Sequence, residues 1–370
     1  MSLPTRRHVL LAGMVAATPI LPALTRGPAM TPARRTSTNG IELAVRDVGA
    51  GPAVVLLHGF PGLSYSWRHQ VPALVSAGYR VIVPDLRGYG DSDAPDDVEA
   101  YDIVQLTNDL AGLLDALSVD RAIFMGHDWG GLLAWQMPLF HPRRVAGVVS
   151  VSTPYIPHWM LWLHPELTAP ASPTGESFNA DPGRDPLEQM RRVYTPDMYV
   201  LMFNDDRRAD TAMNADIPLT LRNSFRKDLM RADAWGELPS EVANMAYYGL
   251  PIPKDLPGRD VLTPDELAAY SRAYRRHGFT PPINWYRNLS RNWRIGRDMD
   301  QTIRVPSLMI SGANDVVLRP SMTEGMHAFV PDLERRVVQD SWHWTAEDRP
   351  SEVNRLTTSW LGRRFPASRT

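Results

Sequence analysis

The stretch Gly126-His127-Asp128-Trp129-Gly130-Gly131 limits what this chain can fold into more than any other. It follows a short apolar run, Ala122-Ile123-Phe124-Met125, and precedes a helical pattern from Leu132 to Gln136. A reactive residue among small ones, set between a strand and a helix, is the sequence form of a nucleophile elbow. The turn is so sharp that only small side chains fit around it, and the central side chain is forced up and out. Here that residue is Asp128, where esterases and lipases carry serine. The plainer reading is an aspartate N-cap on an ordinary helix.

As a nucleophile, a carboxylate attacks an electrophilic alkyl carbon and leaves an alkyl-enzyme ester, which water must then hydrolyse. The elbow therefore points to opening of epoxides or carbon–halogen bonds more than to esterase or peptidase work.

The surrounding pattern predicts an α/β fold built on a mostly parallel sheet with flanking helices. Ile41 to Val45 alternates like a half-buried strand, and Ala53 to Leu57 is a continuous apolar run, as for a strand covered on both faces. Trp67 to Ala77 has helical spacing and ends at Gly78. Tyr79 to Val83 is the next strand, Tyr101 to Leu117 an amphipathic helix, and Val145 to Val151 another buried strand. This alternation is the mark of a parallel α/β sheet. From about Pro154 to Asp300 the rhythm breaks. No clear strand is seen, aromatic and charged residues recur at helical spacing, and His164 to Leu187 reads as an exposed loop. The rhythm returns with Val305 to Ile310 and Glu334 to Gln339, and a helix closes the chain from Ser351 to Leu361. The expected organisation is a leader over 1–30, a core in two parts over 36–153 and 301–365, and a helical cap over 154–300.

Ester hydrolysis needs an oxyanion hole, a base with an orienting carboxylate, and an acid for the leaving oxygen. His58-Gly59-Phe60-Pro61 ends an early strand, and its tight turn can aim the Phe60 backbone N–H at the site. The Trp129 N–H, just after the nucleophile, supplies a second donor. An ordinary Gly-Pro turn is the alternative. His343, in Ser341-Trp342-His343-Trp344, follows the last predicted strand, and a nucleophile–acid–histidine chain order puts the histidine last. A neutral imidazole there can take a proton from water; a buried structural histidine is the rival. His58 and His127 read as structural hydrogen-bonders. Asp315 lies in Gly312-Ala313-Asn314-Asp315 at a strand's carboxyl end and can accept the His343 Nδ1–H, unless it is a surface turn aspartate. Asp91, Asp93 and Asp205 have weaker positions. Ring opening develops alkoxide charge, so protonated phenols suit the acid role at neutral pH.

The 370 residues are 44% hydrophobic, enough for one large core with an insertion. A net charge of −2, with its 39 basic residues scattered, gives no nucleic-acid face. The absence of cysteine excludes disulfides, thiolate chemistry and Cys-based zinc sites. Arg6-Arg7 precedes a moderately apolar run, Val9 to Leu24, broken by Pro19 and Pro22. The run is too short for a stable membrane span and resembles a bacterial twin-arginine export signal, against a plain N-terminal tail. Oligomeric state is not encoded legibly.

Together, His58-Gly59-Phe60-Pro61, Arg87-Gly88-Tyr89-Gly90-Asp91-Ser92, Gly126 to Gly131, Asn284-Trp285-Tyr286-Arg287-Asn288 and Trp342-His343-Trp344 resemble the soluble-type epoxide hydrolases of the α/β-hydrolase superfamily. The resemblance runs from about Asn39 to Leu361, cap included. It implies the α/β-hydrolase fold with an inserted helical cap, Asp128 as nucleophile, His343 as base and Asp315 as its acid partner. It further implies two cap tyrosines on the epoxide oxygen. Tyr286 matches within its motif, and Tyr199 by its Tyr-x-x-x-Phe context, among cap tyrosines that include Tyr194, Tyr247, Tyr248, Tyr270 and Tyr274. No cofactor or metal is implied. Ser152-Thr153-Pro154-Tyr155 departs from the Asn-Thr-Pro-Phe expected in close relatives, and an export signal departs from the family's common location. Trp159, Trp162, Met202, Phe203 and Trp285 suggest an apolar pocket for a lipophilic epoxide, or simply the cap core. The rivals are a haloalkane or haloacid dehalogenase on the same scaffold and a secreted binding protein without turnover. Phe60 has no side-chain donor for halide, and no arginine follows Asp128 to hold a haloacid carboxylate.

Overall fold

The computed structural model describes residues 31–168, 178–228 and 244–367; the leader read over 1–30 lies outside the described residues. The strands are β1 (Arg34–Thr38), β2 (Ile41–Val48), β3 (Ala53–Leu57), β4 (Arg80–Pro84), β5 (Ala122–His127), β6 (Val145–Val151), β7 (Arg226–Lys227), β8 (Arg259–Asp260), β9 (Ser307–Gly312) and β10 (Leu333–Val338). Eight of them form one sheet in the order β1-β2-β4-β3-β5-β6-β9-β10. The β1-β2 and β2-β4 pairs are antiparallel, and every pair from β4 onward is parallel.

The strand pleat sorts the core into two layers. Val54, Leu56, Val81, Val83, Ile123, Met125, Leu308 and Ile310 face one side, where Trp67, Leu74, Val353 and Trp360 cover them. Val55, Leu57, Ile82, Phe124, Val148 and Met309 face the other, against Leu106, Leu110 and Leu113, and this layer continues into the segment after β6. Side chains of successive residues point to opposite faces, so strands covered on both sides must be apolar throughout. β1 was absent from the sequence expectation: Arg34-Arg35-Thr36-Ser37-Thr38 carries no apolar alternation, and its extended form comes from pairing along β2. The helix expected from Trp67 divides instead into a 3-10 turn at Ser64–Trp67 and an α-helix at Gln70–Ser76. Pro72 sits in that helix's first turn, where no N–H is needed. Asp102 caps the helix Ile103–Ala116 by accepting the Gln105 N–H at 2.9 Å.

Between β6 and β9 the described elements are helices, 3-10 turns and one small ribbon. The ribbon, β7 paired with β8, corrects the expectation of a strandless insertion. It is two residues wide and is held by the Arg226 guanidinium, which donates to the carbonyls of Leu256 and Gly258 at 2.8 and 2.7 Å. So short a pairing leaves no periodic trace. The segment His164 to Leu187 is also not an open loop throughout. Pro165–Thr168 forms a helical turn with Thr168 buried, and Asp185 caps a helix at Pro186–Val193 by accepting the Leu187 N–H at 2.9 Å. Residues 169–177 of that loop lie outside the described residues.

Polar side chains fasten the insertion to the sheet domain. Asp102 pairs with Arg291 at 2.8 Å, and Asn292 accepts the Ile103 N–H at 2.8 Å. A second fastening is buried. Arg68 pairs with Glu266 at 2.8 Å and Glu347 at 2.6 Å, with the three side chains 2%, 11% and 2% exposed. Tyr270 donates to Glu347 at 3.0 Å and shares a 2.7 Å hydrogen bond with Ser66. Among the described residues, no helix is long and apolar enough to cross a membrane.

Candidate active site

Asp128 stands between β5 and the helix Trp129–Phe140 with φ 53° and ψ −123°. A non-glycine residue there costs about 1–3 kcal/mol and persists only where packing over-determines it. That packing is visible. A side chain on Gly130 would overlap the Leu57 and His58 carbonyls, and one on Gly59 would overlap Asp128 itself. The close approach lets the Phe60 N–H donate to Asp128 Oδ1 at 2.7 Å. Burial pushes the Asp128 carboxyl above its usual range; His343 and the backbone N–H groups of Phe60 and Trp129 act against that rise.

His343 follows β10 and sits with Nε2 3.7 Å from Asp128 Oδ2 and Nδ1 3.2 Å from Asp315 Oδ2. The other Asp315 oxygen accepts the Val317 and Leu318 N–H groups at 3.0 and 2.9 Å, which fixes the carboxylate's direction. Burial lowers the His343 pKa, but Asp315 and Asp128 outweigh it and the net shift is upward. The segment is held from behind. The His343 carbonyl meets His127 Nε2 at 2.8 Å and accepts the Ser152 hydroxyl at 2.9 Å. Burial lowers His127 to about 3, so the ring is neutral near pH 7 and donates through Nε2. Ser152 thus keeps a donor where relatives were expected to have asparagine. His58 is likewise structural: burial lowers it to about 4, and its Nε2 accepts the Leu86 N–H at 3.0 Å.

The two predicted tyrosines come from different cap helices. Tyr199 opens the helix Tyr199–Asp205, and Tyr286 lies in Thr280–Arg287. Their ring centroids are 5.8 Å apart. Asn204, which the sequence did not single out, braces them by donating to Val200 and Tyr286 carbonyls at 2.8 and 3.1 Å. Trp285 donates to the Arg87 carbonyl at 3.1 Å, so this tryptophan docks the Tyr286 helix on the sheet domain. Burial raises both phenols above their usual range, and the charge of Asp128 raises each further. For Tyr199 the Trp162 indole pulls the other way. Other cap tyrosines are engaged elsewhere: Tyr194 donates to the Trp162 carbonyl at 2.6 Å, and Tyr248 bonds Ser224 at 2.9 Å. Asp205 and Asp93 pair with Arg191 and Arg35, each at 2.5 Å.

Asp128, Trp129, Leu161, Trp162, Tyr199 and Leu318 line a narrow recess. Phe203 packs edge-on against Phe60 and Tyr286, with centroids at 5.8 and 5.0 Å. Most of the lining side chains are apolar, with the Asp128 carboxylate and the Tyr199 hydroxyl among them. Among the described residues, no group of three or more His, Asp or Glu side chains is arranged to hold a metal ion.

A family described as the alpha/beta hydrolase fold matches residues 52–176. The chain is 38% identical over 339 residues to Epoxide hydrolase A of Mycobacterium tuberculosis, covering 89% of this chain and 96% of that one. It is 34% identical over 323 residues to the Bifunctional epoxide hydrolase 2 of Sus scrofa, covering 87% of this chain and 53% of that one. The chain therefore spans about half the length of these bifunctional relatives. Among solved structures, Epoxide Hydrolase A from Mycobacterium thermoresistibile superposes with a TM-score of 0.73 at 37% identity, covering 90% of this chain and 98% of that one.

Proposed function

The chain belongs to the epoxide hydrolases of the α/β-hydrolase fold, and we propose that it converts a lipophilic epoxide to a vicinal diol through an aspartyl ester. The observation that carries this reading is the pairing of a carboxylate nucleophile with two phenols. Asp128 Oδ1 is occupied by the Phe60 N–H, leaving Oδ2 to attack a ring carbon. The carbon–oxygen bond breaks, and its electron pair goes to an oxygen that takes a proton from Tyr199 or Tyr286. His343, oriented by Asp315, then removes a proton from water, which attacks the ester carbon. The oxyanion forms on Oδ1 against the Phe60 and Trp129 N–H groups. Halide displacement by the same carboxylate needs no proton donor, so a paired phenol site favours the epoxide. The apolar lining from Trp129, Leu161, Trp162 and Leu318 favours a lipophilic substrate.

The test is a single turnover with excess enzyme in heavy-oxygen water. Label is expected in the Asp128 carboxylate and not in the first diol released. Label in that diol, with none in Asp128, means direct hydration and removes the nucleophile assignment. We also propose export by a twin-arginine route, supported by Arg6-Arg7 ahead of the Val9 to Leu24 run. Changing Arg6 and Arg7 to lysine should retain the precursor in the cytoplasm of a host with that system; unchanged secretion refutes the route.

A further inference from the structure

The sequence reads Trp162 as an apolar pocket wall or as cap core, yet its polar edge is the part in use. The residue lies in the 3-10 turn Leu161–Leu163, is 7% exposed, and lines the recess that holds Asp128. Its indole N–H donates to the Tyr199 hydroxyl oxygen at 2.8 Å. Its backbone carbonyl is pinned in turn by the Tyr194 hydroxyl at 2.6 Å. The ring packs against Trp129, centroid to centroid 5.9 Å, immediately beside the nucleophile.

An indole N–H only donates. At this contact Tyr199 is the acceptor, so its own proton is not spent on Trp162 and stays available for the recess. A donor already seated on the phenol oxygen also stabilises the charge that gathers there as the proton leaves, because hydrogen bonds to charged acceptors are the stronger kind. We propose that Trp162 is a positioning residue for epoxide opening, fixing Tyr199 as a proton donor and stabilising its phenolate as the ring oxygen is protonated. The inference rests on the epoxide reading above. The step balances: Asp128 Oδ2 bonds to carbon, the ring carbon–oxygen bond breaks, and the new alkoxide takes the Tyr199 proton. During hydrolysis the attacking water supplies two protons in all. One goes by way of His343 to the departing diol oxygen, and the other restores the phenol as the Asp128 carboxylate reforms.

The test replaces Trp162 with benzothienylalanine, which keeps the bicyclic shape and lacks the N–H, alongside Trp162→Phe and Trp162→Gln. Single-turnover alkylation is followed for two terminal epoxides, one bearing a trifluoromethyl group that makes its alkoxide less basic. The isostere should slow alkylation of the more basic epoxide by roughly tenfold or more, with substrate affinity and ester hydrolysis held within about twofold. The trifluoromethyl substrate should be slowed less. Trp162→Gln, which retains an N–H donor, should recover part of the rate lost in Trp162→Phe. In a Tyr199→Phe background the isostere should have no further effect. Equal slowing of both epoxides, or slowing that persists without the Tyr199 hydroxyl, overturns the inference. A substrate-free measurement separates it from the functional reading. With a fluorotyrosine at position 199, fluorine NMR should show ionisation at higher pH in the isostere than in the Trp162 protein. An unchanged titration overturns the role of Trp162, whereas normal titration with no epoxide opened by wild type overturns the functional reading instead.

Discussion

Replacing Arg68 by methionine removes the centre of the buried fastening and leaves its two carboxylates facing each other. Arg68 lies 2.8 Å from Glu266 and 2.6 Å from Glu347, and its side chain is 2% exposed, as is that of Glu347. Solvent therefore screens this pair little. Removing one partner of a buried ion pair costs about 3–5 kcal/mol, since the other charge stays desolvated. The Glu266 side chain is 11% exposed and relaxes toward solvent more easily, which favours the lower half of that range. A domain of this length loses about 2 °C of Tm per kcal/mol, so Arg68→Met should melt roughly 6–8 °C below wild type at neutral pH. The pH dependence is a sharper check. Burial raises the Glu266 carboxyl, but the Thr263 N–H and Arg68 outweigh it and hold it low, so its contribution is present above the unfolded pKa and lost as pH falls through the folded one. Burial holds Glu347 high even beside Arg68, so protonation there relieves a penalty as pH falls. Without Arg68 both carboxyls protonate more readily, and acid relieves the variant while it costs wild type its pairing. Calorimetry of both proteins from about pH 7 to about pH 4 should show the Tm gap closing. A gap under about 2 °C at neutral pH, or one that widens in acid, refutes the reasoning.

Other expectations concern the reaction. His343→Gln should still alkylate and then stall, so intact-mass measurement after epoxide addition should show an accumulating adduct; wild-type turnover would remove His343 from the mechanism. Tyr286→Phe should slow alkylation by a large factor, and the Tyr199/Tyr286 double phenylalanine variant should nearly abolish it, because one remaining phenol can still donate. Retained alkylation in the folded double variant removes the acid role of the pair. Because burial raises the Asp128 carboxyl, alkylation should fail at a higher pH than an ordinary aspartate would give as the solution is acidified. Esterification then removes a charge that helps hold His343 up, so the acid limb of ester hydrolysis should lie below the free-enzyme titration of His343 read by NMR. A limb at or above that titration contradicts the coupling.

What the chain reveals in advance depends on whether a residue's surroundings are local. β3 and β6 are legible because strands covered on both faces must be apolar along their length. β1 is not, since five polar residues become a strand only through the register of β2. Asp128 can be read from its flanking glycines, which the turn itself demands, and His343 and Asp315 from their places after strands. The structure brings all three together with Phe60, as expected from sequence. Asn204, Ser152 and Trp162 leave no such trace. Asn204 is one asparagine within a helix until Tyr286 arrives from 82 residues away. Ser152 reads as a strand-end serine until the His343 carbonyl, 191 residues on, comes to its hydroxyl. Trp162 looks apolar because composition records its ring and says nothing of where its one N–H points.

The hydrogen bond from the Phe60 N–H to Asp128 Oδ1 makes the two oxygens of one carboxylate chemically distinct. Rotation about Cβ–Cγ would exchange them, and it would have to break that bond inside a packed turn. Under the proposed ester mechanism the tethered oxygen is a permanent resident, receiving negative charge in every cycle and never leaving. By the same mechanism the other would depart with each diol and be replaced from water. Catalysis by the proposed route would consume and renew a single atom of the protein, in the same place, in each cycle.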